Sequence, residues 1–216
     1  MEANNYDNSA RFYDKLSWLI FGRALINAQV YLLKYVPANA RILIVGGGTG
    51  WILEELTRIH PSGLQITYVE ISANMMALSK KRNNGSNRVT FINDNILKVE
   101  LPFDFDIVIT AFLFDNFARP TFKRVFEYIH QLLKPGALWL NTDFQLTGKW
   151  WQPVLLKSML LFFKVFSGIE AMQLLPIEEQ FSKCNYTLVE RQEFFGSFIM
   201  SSAYKKSSRE GRTKSA

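Results

Sequence analysis

An apolar run that ends in crowded glycine constrains this chain more than any other feature. Ile42-Leu43-Ile44-Val45 leads into Gly46-Gly47-Gly48-Thr49-Gly50, and Trp51-Ile52-Leu53-Glu54-Glu55-Leu56-Thr57 follows. That order predicts a buried β-strand, a sharp turn and the opening of a helix. Glycine lets the backbone turn tightly and approach a ligand where a Cβ would collide. The helix N-terminus beyond it offers unpaired N–H groups and the positive end of a dipole, a setting for a nucleotide-like or carboxylate-bearing ligand. Spacing narrows the choice. The dinucleotide fingerprint Gly-x-Gly-x-x-Gly would need its third glycine at position 51, which is Trp51, whereas this chain reads Gly-x-Gly-x-Gly.

Past the turn, apolar runs of strand length at 66–69, 89–92, 105–110 and 137–140 alternate with helical patterns at 51–59, 73–82 and 120–133. Such alternation predicts a parallel sheet with helices on both faces, and ligands on such sheets bind beyond the C-terminal strand ends. Residues 187–195 and 197–204 flank the single Gly196 and read as an antiparallel hairpin. The domain is expected over 1–204, with a helical cap at 1–40 and a helical insertion at 145–183.

These motifs together resemble the class I S-adenosylmethionine-dependent methyltransferases. Val45-Gly46-Gly47-Gly48-Thr49-Gly50 matches their first motif, and Tyr68-Val69-Glu70-Ile71-Ser72 their second strand with its acidic end. Asn93-Asp94-Asn95-Ile96 resembles the segment after the third strand, and 105–112 the fourth strand. Leu132-Leu133-Lys134-Pro135-Gly136 and the run after it resemble the turn and fifth strand. The resemblance implies an α/β fold: a doubly wound, mostly parallel seven-stranded sheet with an antiparallel last strand. It implies S-adenosylmethionine as cofactor, with Gly46, Gly48 and Gly50 beside its methionine part and Glu70 on the ribose. Asp94 and Asn95 would meet the adenine, Ile71, Met75 and Ile96 would sandwich its ring, and Ala111 and Phe112 would sit beside the sulfonium. The opening Tyr6-Asp7 to Leu16 is similar to that of ubiquinone and menaquinone biosynthesis methyltransferases, which places Tyr13 at the cofactor; packing is its competing role. One departure is Ile44, where the family often carries an acid.

Methyl transfer needs a base only if the acceptor must lose a proton. Asp115 and Asp143 follow the fourth and fifth strands and are the candidates; loop or capping roles compete for each. His60 and His130 are expected at the surface, and with the single Cys184 they give no metal site. Thr110-Ala111-Phe112-Leu113 lacks the Asp/Asn-Pro-Pro-aromatic motif of amino-methylating nucleic-acid enzymes, so nucleic acid is disfavoured as a partner and a small-molecule, hydrophobic acceptor is expected. The alternatives are a non-catalytic binding or partner subunit of the same fold and an NAD(P)-dependent oxidoreductase.

Charge adds little to this. Of the net +6, residues 205–216 carry +4 (five basic side chains against one acidic), leaving +2 for the rest, and that tail reads as flexible. The N-terminus shows no secretory signal, so a cytoplasmic location is expected. Residues 150–166 are nearly all apolar, interrupted by Gln152, Lys157, Ser158 and Lys164. They are too short and too charged to span a bilayer. Packing on the N-terminal helices, walling a greasy acceptor pocket and lying on a membrane surface are the three readings of this segment. Oligomeric state has no signature in the sequence.

Overall fold

The computed structural model describes residues 20–167 and 174–208, without the side chains of 162–167. Tyr13 therefore lies outside the described residues, as do residues 1–19 of the expected cap and 209–216 of the expected tail. The elements run α1 (Ala24–Leu32), β1 (Arg41–Val45), α2 (Trp51–Ile59), β2 (Ser62–Val69), α3 (Ala73–Ser79) and β3 (Ser86–Ile92). They continue with β4 (Phe105–Ala111), α4 (Arg119–Leu132), β5 (Leu133–Phe144), α5 (Trp151–Ser167), α6 (Ile177–Lys183), β6 (Tyr186–Phe194) and β7 (Ile199–Lys206).

The seven strands form one sheet in the order β3-β2-β1-β4-β5-β7-β6. The first five are parallel, and β7 runs antiparallel to both β5 and β6. This is the expected doubly wound sheet with a reversed last strand. Strand order turns back at β1, which pairs β2 on one side and β4 on the other, so the crevice of such a sheet opens above Val45.

Ile42 to Val45 are buried because both faces of β1 are covered. Ile42 and Ile44 pack with Leu53 and Leu56 of α2, while Leu43 and Val45 face Val108, Phe126 and Trp139. Each such side chain, taken fully from water, stabilises the fold by about 1.5–3 kcal/mol. Helix α2 occupies the span expected from its pattern, burying Ile52, Leu53 and Leu56. A third cluster joins the end of the sheet to its cap. Phe21, Ala28, Phe144, Leu156, Phe198 and Ile199 meet there, with Phe112 and Trp151 packed against them. Helix α1 is tied down twice: Ser201 Oγ donates to the Ala28 carbonyl at 2.7 Å, and Glu190 of β6 accepts from Tyr31, Tyr35 and Lys34.

Several boundaries differ from expectation. Helix α3 stops at Ser79 instead of continuing to position 82, because the backbone then turns to bring Arg82 back to the glycine turn, where its Nε donates to the Thr49 carbonyl at 3.0 Å. Strand β5 begins at Leu133, taking in the Lys-Pro-Gly turn through an irregularity in its pairing with β4. The hairpin turn is longer than one glycine. Phe195, Gly196 and Ser197 all have positive φ (48°, 58° and 64°), which lets Phe198 fold into the third cluster. Lys205 and Lys206 belong to β7 and not to the tail, and Lys206 Nζ donates to the carbonyls of His130 and Leu133 at 2.8 Å each. His60 and His130 are both half-buried, a correction to their expected surface placement. His60 Nε2 bonds the Val36 carbonyl at 2.8 Å, and His130 Nδ1 lies 3.0 Å from the Tyr186 hydroxyl.

Candidate active site

Strand register builds the site. Val45 is paired with Val69 and with Thr110, Val69 with Ile92, and Ala111 with Thr142. Gly46, Glu70 and Asn93 therefore leave the sheet at nearly one level along its C-terminal edge, beside Ala111 at the end of β4. Asp143, expected after the fifth strand, lies inside β5, where it pairs with Met200 because that strand runs on to Phe144. The glycine turn, Glu70, the Asn93–Ile96 segment and the loop after β4 come together there.

Glycine is demanded for different reasons along the turn. Gly46, Gly48 and Gly50 all have positive φ, between 63° and 79°. A Cβ on Gly47 would lie 2.3 Å from the Tyr68 Cε2 and Cζ, and one on Gly50 would lie 2.5 Å from the Ser79 Cβ and 2.7 Å from its Cα. Those two positions are small because β2 and α3 press on them. Gly48 differs: a Cβ there would meet only the Met75 Sδ, at 4.0 Å. The space in front of Gly48 is open.

Glu70 locks that turn. It is 4% exposed, and its Oε2 accepts from the Gly48 N–H at 2.9 Å while its Oε1 accepts from the Ser72 N–H at 2.8 Å. Tyr68, also buried, donates its hydroxyl to the Gly48 carbonyl at 2.9 Å. Burial pushes the Tyr68 phenol well above its ordinary range and the nearby Glu70 charge adds to this, so it stays a neutral donor. Asn93 Nδ2 donates to the carbonyls of Glu70 (2.8 Å) and Ile71 (3.1 Å), which ties the end of β3 to that of β2. Sequence reasoning missed Tyr68, Arg82 and the bonding role of Asn93. Tyr68 is indistinguishable in sequence from a packing aromatic in a strand, and Arg82 from a cation closing a helix.

Of the other expected ligand residues, Asp94 is exposed and its Oδ1 accepts from the Asn95 N–H at 2.7 Å. Asn95 caps the short 3-10 turn Ile96–Lys98 by accepting from the Leu97 N–H at 3.0 Å. Ile71 is half-buried at the rim, Met75 is buried beside Gly48, and Ile96 belongs to the core with Val45 and Val69. Ala111 ends β4. Phe112 has φ +52°, a strained backbone for a bulky residue, held by its N–H to the Thr142 carbonyl (2.8 Å) and by Asn116 Nδ2 to its own carbonyl (2.7 Å). Its ring packs on Phe144 with centroids 4.8 Å apart.

Asp115 and Asp143, proposed separately from sequence, form an interacting pair. Asp143 is 3% exposed; its Oδ1 accepts from the Phe144 N–H at 3.0 Å, and its Oδ2 has no hydrogen-bond partner among the described residues. Burial raises its carboxyl to about 7, against the N–H groups of Phe144 and Phe114, which lower it. Burial likewise drives Asp115 well above the usual carboxylate range, and the Asp143 charge pushes it further. Two such carboxyls cannot both ionise cheaply, so near neutral pH the pair holds at least one proton.

A glycine-rich turn above the switch point of this sheet, with the acidic end of β2 bonded into it, gives the chain a Rossmann-like architecture. Residues 42–136 match the family model described as a methyltransferase domain. It is similar to a demethylmenaquinone methyltransferase of Porphyromonas gingivalis, 32% identical over 140 residues that make up 61% of this chain and 56% of the relative. It is similar as well to a ubiquinone/menaquinone biosynthesis C-methyltransferase of Geotalea daltonii, 32% identical over 61% of this chain and 58% of the relative. The chain thus spans little more than half the length of these relatives. Among solved structures, the 1,6-didemethyltoxoflavin-N1-methyltransferase of Burkholderia thailandensis, bound to S-adenosylhomocysteine, shares the fold. Its TM-score is 0.66 at 15% identity, covering 92% of this chain and 85% of that one.

Proposed function

We propose that this chain transfers the methyl group of S-adenosylmethionine to a small, hydrophobic acceptor. The observation that carries the reading is the open space in front of Gly48, with Glu70 fixed beside it. The donor, when bound, supplies a methyl carbon already activated by the sulfonium charge. The chain's own task is to hold and align. Gly46 and Gly48 would admit the methionine part. Gly50 would contribute through the packing that shapes the turn. Glu70, bonded to the Gly48 and Ser72 N–H groups, would bind the ribose hydroxyls. Asp94, exposed at the end of β3, and Asn95 would meet the adenine, with Ile71 and Met75 against its ring and Ile96 supporting them from below. Ala111 and Phe112 would flank the reacting centre, and Tyr13 would close over it.

Asp143 or Asp115 would take a proton from an acceptor hydroxyl or amine, the ionised member of the pair becoming protonated. Phe112 packs on Phe144, which in turn meets Phe21 and Phe198, and this aromatic group supports an apolar acceptor. The relative named for demethylmenaquinone points the same way.

Calorimetric titration with S-adenosylmethionine and S-adenosylhomocysteine, with NADH as control, tests the reading. Micromolar binding of the sulfur ligands alone is expected, and Glu70→Ala should weaken it at least about tenfold, or ~1.4 kcal/mol. Unchanged affinity in that variant removes Glu70 from the site. Binding of NADH alone would transfer the chain to the oxidoreductases. Ile44, buried in the core where the family often has an acid, favours a non-catalytic subunit as the second reading. Release of S-adenosylhomocysteine with any acceptor pool would exclude it.

A further inference from the structure

Helix α5 turns one face inward and leaves another bare. Leu156 and Gln152 are buried, and Leu155, Met159 and Leu160 pack against the third cluster together with Phe112. The outward face carries Lys157 and Ser158 but is otherwise apolar. Trp150 is 84% exposed, Val154 64% and Leu161 65%, with Leu146 at 48% just before the helix. Positions 150, 154, 157 and 161 fall within one narrow stripe at 100° per residue. Three of the four are large and apolar, and the fourth is the exposed Lys157. From Trp150 to Leu161 the stripe is ~16 Å long.

Charge identifies what covers it. Residues 144–169 contain three lysines, Lys149, Lys157 and Lys164, and no acidic residue. Lys149 is exposed and donates to the Gly196 carbonyl at 2.9 Å, with Glu193 of the neighbouring hairpin close enough to feel its charge. A second copy of the chain packed on this stripe about a two-fold axis would set Lys157 near its own counterpart, and like charges repel. A surface that is apolar inside and negative outside fits both parts. Apolar side chains enter the acyl boundary, lysines extend to the headgroups, and an exposed tryptophan sits at the interface between them.

We infer that Trp150 and the exposed face of α5 that continues from it, Val154, Lys157 and Leu161, dock on an anionic lipid surface. No helix among the described residues is long and apolar enough to cross a membrane, so the contact is peripheral. The inference stands apart from the methyl-transfer reading, although the inward face of the same helix packs in the cluster that holds Phe112.

Co-sedimentation of the full chain with vesicles of equal parts phosphatidylglycerol and phosphatidylcholine tests it, with pure phosphatidylcholine vesicles alongside. The wild-type chain should partition to the anionic vesicles at least about tenfold more strongly than the variant Trp150→Ser/Val154→Ser/Leu161→Ser. A circular-dichroism melt checks that the variant is folded. If it is not, Lys157→Glu leaves the apolar face intact and should weaken anionic-vesicle binding severalfold. Equal binding by wild type and variants would show that the basic C-terminus, not α5, meets the lipid. Absence of wild-type binding, or a wild-type dimer in sedimentation velocity that the triple variant abolishes, would also overturn the inference. Titration with S-adenosylhomocysteine on the same samples reports separately on the cofactor reading.

Discussion

At pH 8 the Asp143 carboxyl is charged in surroundings that disfavour charge. It keeps its proton to about pH 7 in the folded chain against an ordinary 3.8. The unfolded chain therefore gives up that proton first as pH rises. Its contribution to stability falls between about pH 4 and 7 and stays reduced above that. Asp143→Asn removes the titration while keeping the shape. The variant should gain on the wild type by at least about 1 kcal/mol at pH 8 and lose that advantage at pH 4, read from urea unfolding at the two pH values. An identical difference at both would mean that Asp143 is not a buried ionising group. Asp115 was legible in sequence as a residue just past a strand, whereas Asp143, expected in the same position, lies inside the longer β5. Their interaction was not legible, because it depends on the register that pairs Ala111 with Thr142 and on burial. Tyr68 was illegible for the same reason: the sequence shows a strand aromatic, and only the fold shows its hydroxyl at Gly48.

At the level of elements, the β1–α2 junction separates two uses of glycine that sequence alone merges. Gly48 and Gly50 share positive φ, which costs an alanine about 1–2 kcal/mol at either site. Only Gly50 is also pressed by α3. An added Cβ there sits 2.5 Å from the Ser79 Cβ and forces the helix outward, a further ~1–3 kcal/mol. Gly50→Ala should thus be the more destabilised variant in urea. Gly48→Ala should lose less stability, yet bind S-adenosylhomocysteine at least about tenfold more weakly, because its methyl enters the open space. The reverse ordering in either measurement would mean that the ligand does not lie over Gly48. The pattern at 51–59 was legible to the residue because its apolar face is local. The end of α3 was not, since it is set by the return of Arg82 to Thr49.

For the whole molecule, what was legible is what repeats. Alternating apolar runs and helical patterns specify a parallel sheet without any long-range information, and the reversed final strand followed from a hairpin marked by Gly196. The cap was not legible in the same way. Phe21, Phe144 and Phe198 lie far apart in the chain and meet only in the fold, as do Tyr31, Tyr35 and Glu190. Because one sheet carries both the turn that would bind the ligand and the strands that form the core, occupancy of the turn should be felt globally. A ligand that binds only the folded chain, present at about a hundred times its dissociation constant, stabilises by ~2.7 kcal/mol. For a chain of this size that raises the melting temperature by roughly 5–11 °C. S-adenosylhomocysteine should produce such a shift and NADH none. In Glu70→Ala the same concentration should produce a smaller one, since the tenfold loss in affinity removes about 1.4 kcal/mol of it. A shift with NADH and none with S-adenosylhomocysteine would instead mean that the turn takes a dinucleotide despite Trp51.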